Sequence, residues 1–305
     1  MTKAKLSEKI GYGFGDMSSS MFWKIFSYYL PFFYSNIFGL SLAHAGTLLL
    51  VTKLYDAISD PVMGLIADRT STRWGKYRPY LLWIALPFAI AGILAFYTPQ
   101  TDNYTFKHIY AYVTYILMMT VYTAINVPYG AMLGVVTDDS REKSVFSSFR
   151  MFFAFIGSFI SMGIFEPLLR LRSSIMGTLP EKWTIADSAP LDWTIALTVI
   201  GTICAILFFL TFAMTREHVT EFEMAKAEET HKEEKRNSIM EDLKALFCNA
   251  PWWLLLGGGI SLLLFNCIRG GAAAYYFADV LGVKAIYTLA IFLTVGEISQ
   301  LVGVV

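Results

Sequence analysis

The chain has 305 residues, of which 55% are hydrophobic and 16% aromatic, and its 24 basic and 24 acidic side chains cancel to zero net charge. Charged residues make up 16% of the chain, where soluble domains carry about 25%, and the mean hydropathy is +0.51. These values exclude a disordered chain, a nucleic-acid-binding protein and an ordinary water-soluble enzyme, because this much apolar surface is stable only in lipid. The three cysteines, Cys204, Cys248 and Cys267, are odd in number and lack CxxC spacing, which argues against a metal ribbon or a disulfide framework.

Eight segments have the roughly 20 mostly apolar residues that cross a bilayer as a helix: 18–38, 44–66, 80–98, 108–135, 146–169, 192–214, 252–278 and 285–305. The first follows Lys3, Lys5, Glu8 and Lys9 and has no small-residue cleavage site, so it reads as a retained helix rather than a signal peptide. With the N-terminus cytoplasmic, 15 basic loop residues fall inside and 5 outside, and the inside still leads 9 to 5 without the long loop. The sequence therefore predicts a multi-pass protein of the cell membrane with a cytoplasmic N-terminus.

The chain divides at residues 215–250, a stretch crowded with Glu and Lys. Ser238 and Glu241 stand there at capping-box spacing before Leu243, Leu246 and Phe247, which predicts a short amphipathic helix on the inner membrane face. Residues 1–214 read as a six-helix bundle, 215–250 as a charged cytoplasmic loop, and 251–305 as the first two helices of an incomplete second bundle. Two six-helix halves joined by a long loop is a transporter layout. Val305 lies inside an apolar run, so the expectation is a truncated product or a fragment.

Charges inside spans cost roughly 2.5–3.5 kcal/mol each at a helix centre, so they point to function. The second span, LLLVTKLYDAISDPVMGLIADR, carries Asp56 and Asp60 four residues apart, on one helix face and about 6 Å apart along the axis. Two such carboxylates repel unless a cation or a shared proton lies between them, and hard oxygen ligands suit a monovalent cation. The competing reading is an ion pair between Asp56 and Lys53. Pro61 and Pro128 each predict a helix break that frees backbone carbonyls. In the fourth span, YTAINVPYGAML, Thr123 and Asn126 share a face and complete an oxygen cage if spans two and four are neighbours. Their alternative role is hydrogen bonding between helices.

Arg150, early in span five, has three readings: pairing with an aspartate, forking onto substrate hydroxyls, or snorkelling to the headgroups. The aromatic run MFWKIFSYYLPFFY of span one offers Trp23 for stacking on a sugar, or an interfacial belt. Ser18, Ser19 and Ser20 are candidate hydrogen-bond partners for a substrate or a neighbouring helix. The substrate-binding candidates are thus Arg150, Ser20, Trp23 and Tyr122. Arg269 and Glu297 are intramembrane charges of the seventh and eighth spans. A membrane enzyme finds little support: the sequence has no HExxH or GxSxG and no clustered histidines, since His44, His108, His218 and His231 read as lying near loops and far apart. A membrane sensor or scaffold that keeps the fold would show no cation response.

The segment DAISDPVMGLIADRTSTRWGKYRPYLLW (56–83), with GYGFGDM, NVPYGAM and REKSVFSSFRMFF, resembles the glycoside–pentoside–hexuronide:cation symporters, the melibiose permease-like branch of the major facilitator superfamily. The resemblance is carried by most of residues 10–155. It implies an all-α membrane protein, a major facilitator-type bundle with about 8 of 12 transmembrane helices in this chain. It implies alternating-access symport of a glycoside, pentoside or hexuronide with Na+, Li+ or H+, no other cofactor, no metal beyond that ion, no nucleic acid, and a monomer in the lipid bilayer. Asp56, Asp60 and Thr123 match the family's cation ligands, and Asn126 stands where a third carboxylate is found. Arg150 matches a sugar-site arginine, whereas the span-one sugar-binding aspartate aligns near Ser20, with Asp16 one turn earlier. Asp68, Arg69, Arg73, Lys76 and Arg78 match the cytoplasmic loop that latches the inner gate.

Overall fold

The computed structural model describes residues 5–178, 185–217 and 247–275, with isolated positions near 295–299. The chain divides near residue 219 into two compact units. In the first, helices run α1 (Leu6–Phe32), α2 (Leu42–Asp68), α3 (Arg78–Trp83), α4 (Ala85–Ala95), α5 (Tyr104–Val136), α6 (Ser140–Ile175) and α7 (Pro190–Met214). A π-helical turn, Phe33–Ile37, extends α1, and a 3-10 turn, Ile185–Asp187, precedes α7. In the second unit, α8 spans Ala250–Tyr275. Among the described residues the regular structure is helical, and these elements supply the first seven predicted spans. The eighth span, apart from residues 295, 296 and 299, and the amphipathic helix up to residue 246 lie outside the described residues, as do Glu297 and the side chain of Arg269.

Among the described residues three helices, α5, α6 and α7, are long and apolar enough to cross a membrane by length and composition. Helices α1 and α2 are as long as spans but carry Lys9, Asp16, Lys24, Lys53, Asp56 and Asp60 along their length. The outward apolar stripe of α2, which includes Leu50, Leu54, Ile58 and Leu65, is 61–70% exposed, a surface that needs lipid or protein cover. The bundle is a membrane-embedded helical protein.

The first span begins at Leu6 rather than near residue 18, so Asp16 sits well inside α1. The Glu8 carboxylate accepts the Lys5 backbone N–H at 3.0 Å and caps the helix there. Glycines of GYGFG lower helix propensity, which hides this start in the sequence. Packing explains their presence: α1 lies in the centre of the bundle, against α6 and α7. A Cβ on Gly11 would stand 2.4 Å from the Cβ of Met214, and one on Gly15 would stand 2.4 Å from the ring of Tyr129. The other end of α1 sits in an aromatic core in which Trp193 is fully buried against Phe33, Phe96 and Phe165, its indole N–H donating to Ser188 Oγ at 2.7 Å.

Neither proline breaks its helix. Pro61 lies inside the continuous α2 and Pro128 inside the continuous α5. Each removes one ladder bond, and the turns on either side carry the helix through. The third span is instead the one divided, at Ile84, where Pro87 cannot donate to the Trp83 carbonyl.

The tightest backbone approach of α1 to α6 is at Gly157, where an added Cβ would stand 2.5 Å from the Met17 carbonyl oxygen. Because backbone cannot swing aside, Gly157→Ala should cost about 1–3 kcal/mol. Thermal unfolding in detergent checks this: Gly157→Ala melts lower, whereas Gly134→Ala, with nothing within 4 Å of its Cβ, does not.

Candidate cation and substrate site

Helices α2 and α5 pack side by side, which brings the acidic face of one against the Thr/Asn face of the other. Between them and α1 lies a cavity of about 310 Å³ lined by Trp23, Lys53, Asp56, Asp60, Met119, Tyr122, Thr123, Asn126 and Val127. All four cation-site candidates and two of the four substrate candidates, Trp23 and Tyr122, therefore face one space.

Within it, Thr123 Oγ1 donates to Asp60 Oδ1 at 2.8 Å, the contact that ties α5 to the acidic turn of α2. Asn126 Nδ2 donates to the Tyr122 carbonyl at 3.0 Å, which occupies the amide nitrogen rather than its oxygen. Lys53 Nζ donates to Asp56 Oδ2 at 3.3 Å and lies 4.6 Å from the centre of the Trp23 ring. The competing reading of Lys53 as an ion-pair partner of Asp56 is thus present in the structure, yet Asp56 Oδ1 is buried with no hydrogen-bond partner among the described residues. The Trp23 and Tyr122 rings pack with centroids 5.2 Å apart. The Trp23–Lys53 contact was the part of this site that spacing did not disclose, since it depends on where α1 crosses α2.

Arg150 is held elsewhere. Its Nε donates to Asp16 Oδ2 at 3.1 Å, across α6 and α1, and its guanidinium lies 5.5 Å from the centre of the Tyr129 ring. Of the three readings of Arg150, the ion pair with an aspartate is the one present in the structure, formed with the neighbouring helix α1. Tyr129 is itself fixed, stacked on Tyr12 at 4.7 Å, with its hydroxyl donating to the Tyr12 carbonyl at 2.6 Å. Ser20 is half-buried on α1 and is not among the residues lining the α2–α5 cavity.

The loop after α2 forms a compact charged turn. Asp68 accepts from Tyr77 Oη at 2.6 Å and pairs with Lys76 Nζ at 3.4 Å. Arg73 stacks on Trp74, Arg78 donates to the Phe212 carbonyl at 2.8 Å, and Arg69 is exposed. The residue that sequence reasoning missed is Glu217. Its carboxylate accepts the backbone N–H groups of Lys76, Tyr77 and Arg78 at 2.7–2.8 Å, binding the end of α7 to this turn. Gly75 at φ +113 permits it: a Cβ there would stand 2.5 Å from the Glu217 carboxylate. The only sequence signal was an acidic residue just past a span end.

The structure also corrects the separation assigned to the histidines. His44 on α2 and His108 on α5 are far apart in sequence, but their ring centroids are 4.3 Å apart, because both lie in the first turns of two helices that pack together.

The chain belongs to the MFS/sugar transport protein family, whose model matches residues 11–305. It is 38% identical over 303 residues to YagG of Escherichia coli (strain K12), named as a candidate glycoside/cation symporter, covering 99% of this chain and 60% of that relative. It is 36% identical to the inner membrane symporter YicJ of the same organism, covering 98% of this chain and 59% of the relative. Identity to the isoprimeverose transporter of Lactiplantibacillus pentosus is 31%, over 94% of this chain and 58% of the relative. The chain thus spans about 60% of the length of these relatives. The family match and these names agree with the glycoside–pentoside–hexuronide:cation symporter branch that the motifs resemble.

Charge-assisted hydrogen bonds contribute about 1.5–3 kcal/mol each, so Glu217→Ala should loosen the loop it binds. Hydrogen exchange at the amides of Lys76, Tyr77 and Arg78 is expected to accelerate by about tenfold or more, one factor of ten per 1.4 kcal/mol, with exchange in α5 unchanged. Equal acceleration in both would assign Glu217 to global stability instead.

Proposed function

We propose that this protein is a secondary active transporter that couples movement of a sugar, a glycoside, pentoside or hexuronide, to a monovalent cation by alternating access. The observation that carries this reading is the buried, unpartnered Asp56 oxygen in a cavity shared with Asp60, Thr123 and Asn126. Two carboxylates and one ammonium leave a formal charge of −1 in that cavity, which a single Na+, Li+ or H+ neutralises. A divalent ion would overshoot. In this reading Asp56 and Asp60 bind the cation, Thr123 and Asn126 complete the oxygen set, and Lys53 holds one carboxylate oxygen while leaving the other for the ion.

Trp23 and Tyr122 border the same space, so a sugar stacked on them would sit against the ion site, which is the proximity coupling requires. Arg150, positioned by Asp16, offers its remaining guanidinium N–H groups to sugar hydroxyls. Ser20 offers a hydroxyl on the same helix as Asp16 and Trp23. The names of the relatives support sugar as the substrate class. Asp68, Arg69, Arg73, Lys76 and Arg78, bound by Glu217, form the latch of the inner gate. The protein acts in the cell membrane with its N-terminus in the cytoplasm, as a monomer in lipid, and performs no enzymatic step.

Calorimetric titration of the detergent-purified chain tests the cation assignment. Na+ or Li+ should give saturable heat, choline none, and Asp56→Asn should abolish the signal while leaving the protein folded. Unchanged heat in Asp56→Asn would overturn the site. Absence of heat with both ions, together with no proton uptake across pH 5–8, would overturn cation symport.

A further inference from the structure

The His44–His108 contact lies apart from the cation cavity, at the end of the bundle where α2 and α5 both begin, and no role described above uses it. The His108 Nδ1 is 3.2 Å from the Tyr104 carbonyl oxygen, one turn back on α5. A carbonyl can only accept, so Nδ1 carries the hydrogen and Nε2 carries the lone pair. That Nε2 is buried and has no hydrogen-bond partner among the described residues. The His44 Nδ1 lies 2.6 Å from Oγ of Ser41, the N-cap of α2; a hydroxyl donates or accepts, and the tautomer in which Nδ1–H donates to Oγ is the one that leaves Nε2 bare. An imidazole whose Nδ1–H is held by a backbone or side-chain oxygen, with a bare Nε2, is the form that binds transition metals.

The ligand type selects among metals. The ring centroids are 4.3 Å apart with the planes at 82°, close enough for one ion to be shared. Imidazole nitrogen suits first-row transition ions, among which Cu2+ and Ni2+ stand high in the affinity order, and is a poor ligand for Ca2+ or Mg2+. Among the described residues no group of three or more His, Cys, Asp or Glu side chains could hold a metal ion, so the pair stands as a two-nitrogen site.

We propose that His44 and His108 form a bidentate site for Cu2+ or Ni2+ that ties the first turn of α2 to the first turns of α5. The site is separate from the oxygen-lined cation cavity and does not depend on the transport reading.

The test uses the whole chain without a histidine tag, in detergent, with NiCl2 and CuCl2 as probes. Thermal unfolding should move upward with micromolar Ni2+ and not with Mg2+, because a ligand that binds only the folded state stabilises it by mass action. The Cu2+ electron paramagnetic resonance spectrum should show two equatorial nitrogens. His44→Gln and His108→Gln, each melting like the parent without metal, should each weaken Ni2+ binding at least tenfold and reduce the spectrum to one nitrogen. Metal stabilisation that survives in both variants would place binding elsewhere, at His218 or His231, and overturn the proposal. No shift in the parent chain would overturn it as well.

Discussion

Two carboxylates one helical turn apart, inside a membrane span, are the constraint on which the rest of this bundle depends. At about 6 Å and an effective dielectric of about 20, their repulsion alone is about 3 kcal/mol, added to the insertion cost of each charge. Lys53 relieves part of this from Asp56, and the Thr123 hydroxyl relieves part from Asp60. Asp56 Oδ1 is left buried without a hydrogen-bond partner among the described residues, so this network is not complete as a structural one.

Satisfying that turn fixes the neighbours. Helix α5 must lie against α2 to supply Thr123, and α1 must pass close enough to set Trp23 over Lys53. The close approach of α1 to the other helices rests on Gly11, Gly15 and Gly157, where side chains would collide. The Asp16–Arg150 pair and the reciprocal Tyr12–Tyr129 contacts then lock α1 to α6 and α5. Beyond the membrane-spanning part, Glu217 fastens the end of α7 to the turn after α2. The aspartate pair and the charged turn that follows α2 are therefore connected by the unbroken backbone of that helix from Leu42 to Asp68.

What was legible in the sequence was legible because membranes punish polarity. Asp56, Asp60 and Thr123 stood out as polar groups at helical spacing in apolar segments, and the hydrophobic runs located the spans. What was not legible required knowing which helices touch. Helix α1 starts early because its glycines serve packing against local propensity, a tertiary effect. Pro61 and Pro128 looked like breaks, but a single missing bond in a supported helix does not end it. Arg150 had three sequence readings, and only the position of Asp16 across the helix pair separates them. Glu217 and the His44–His108 pair join parts of the chain that no spacing rule connects.

Lys53 shares the α2–α5 cavity with two aspartates, which sets its formal charge at −1. Counting 22Na+ bound per chain by equilibrium dialysis at pH 8, in the parent and in Lys53→Met, tests this most directly. Removing the ammonium removes a repulsive charge beside the ion, so the account predicts one sodium per parent chain and tighter sodium binding in Lys53→Met. Unchanged or weaker binding in a folded Lys53→Met protein would contradict it.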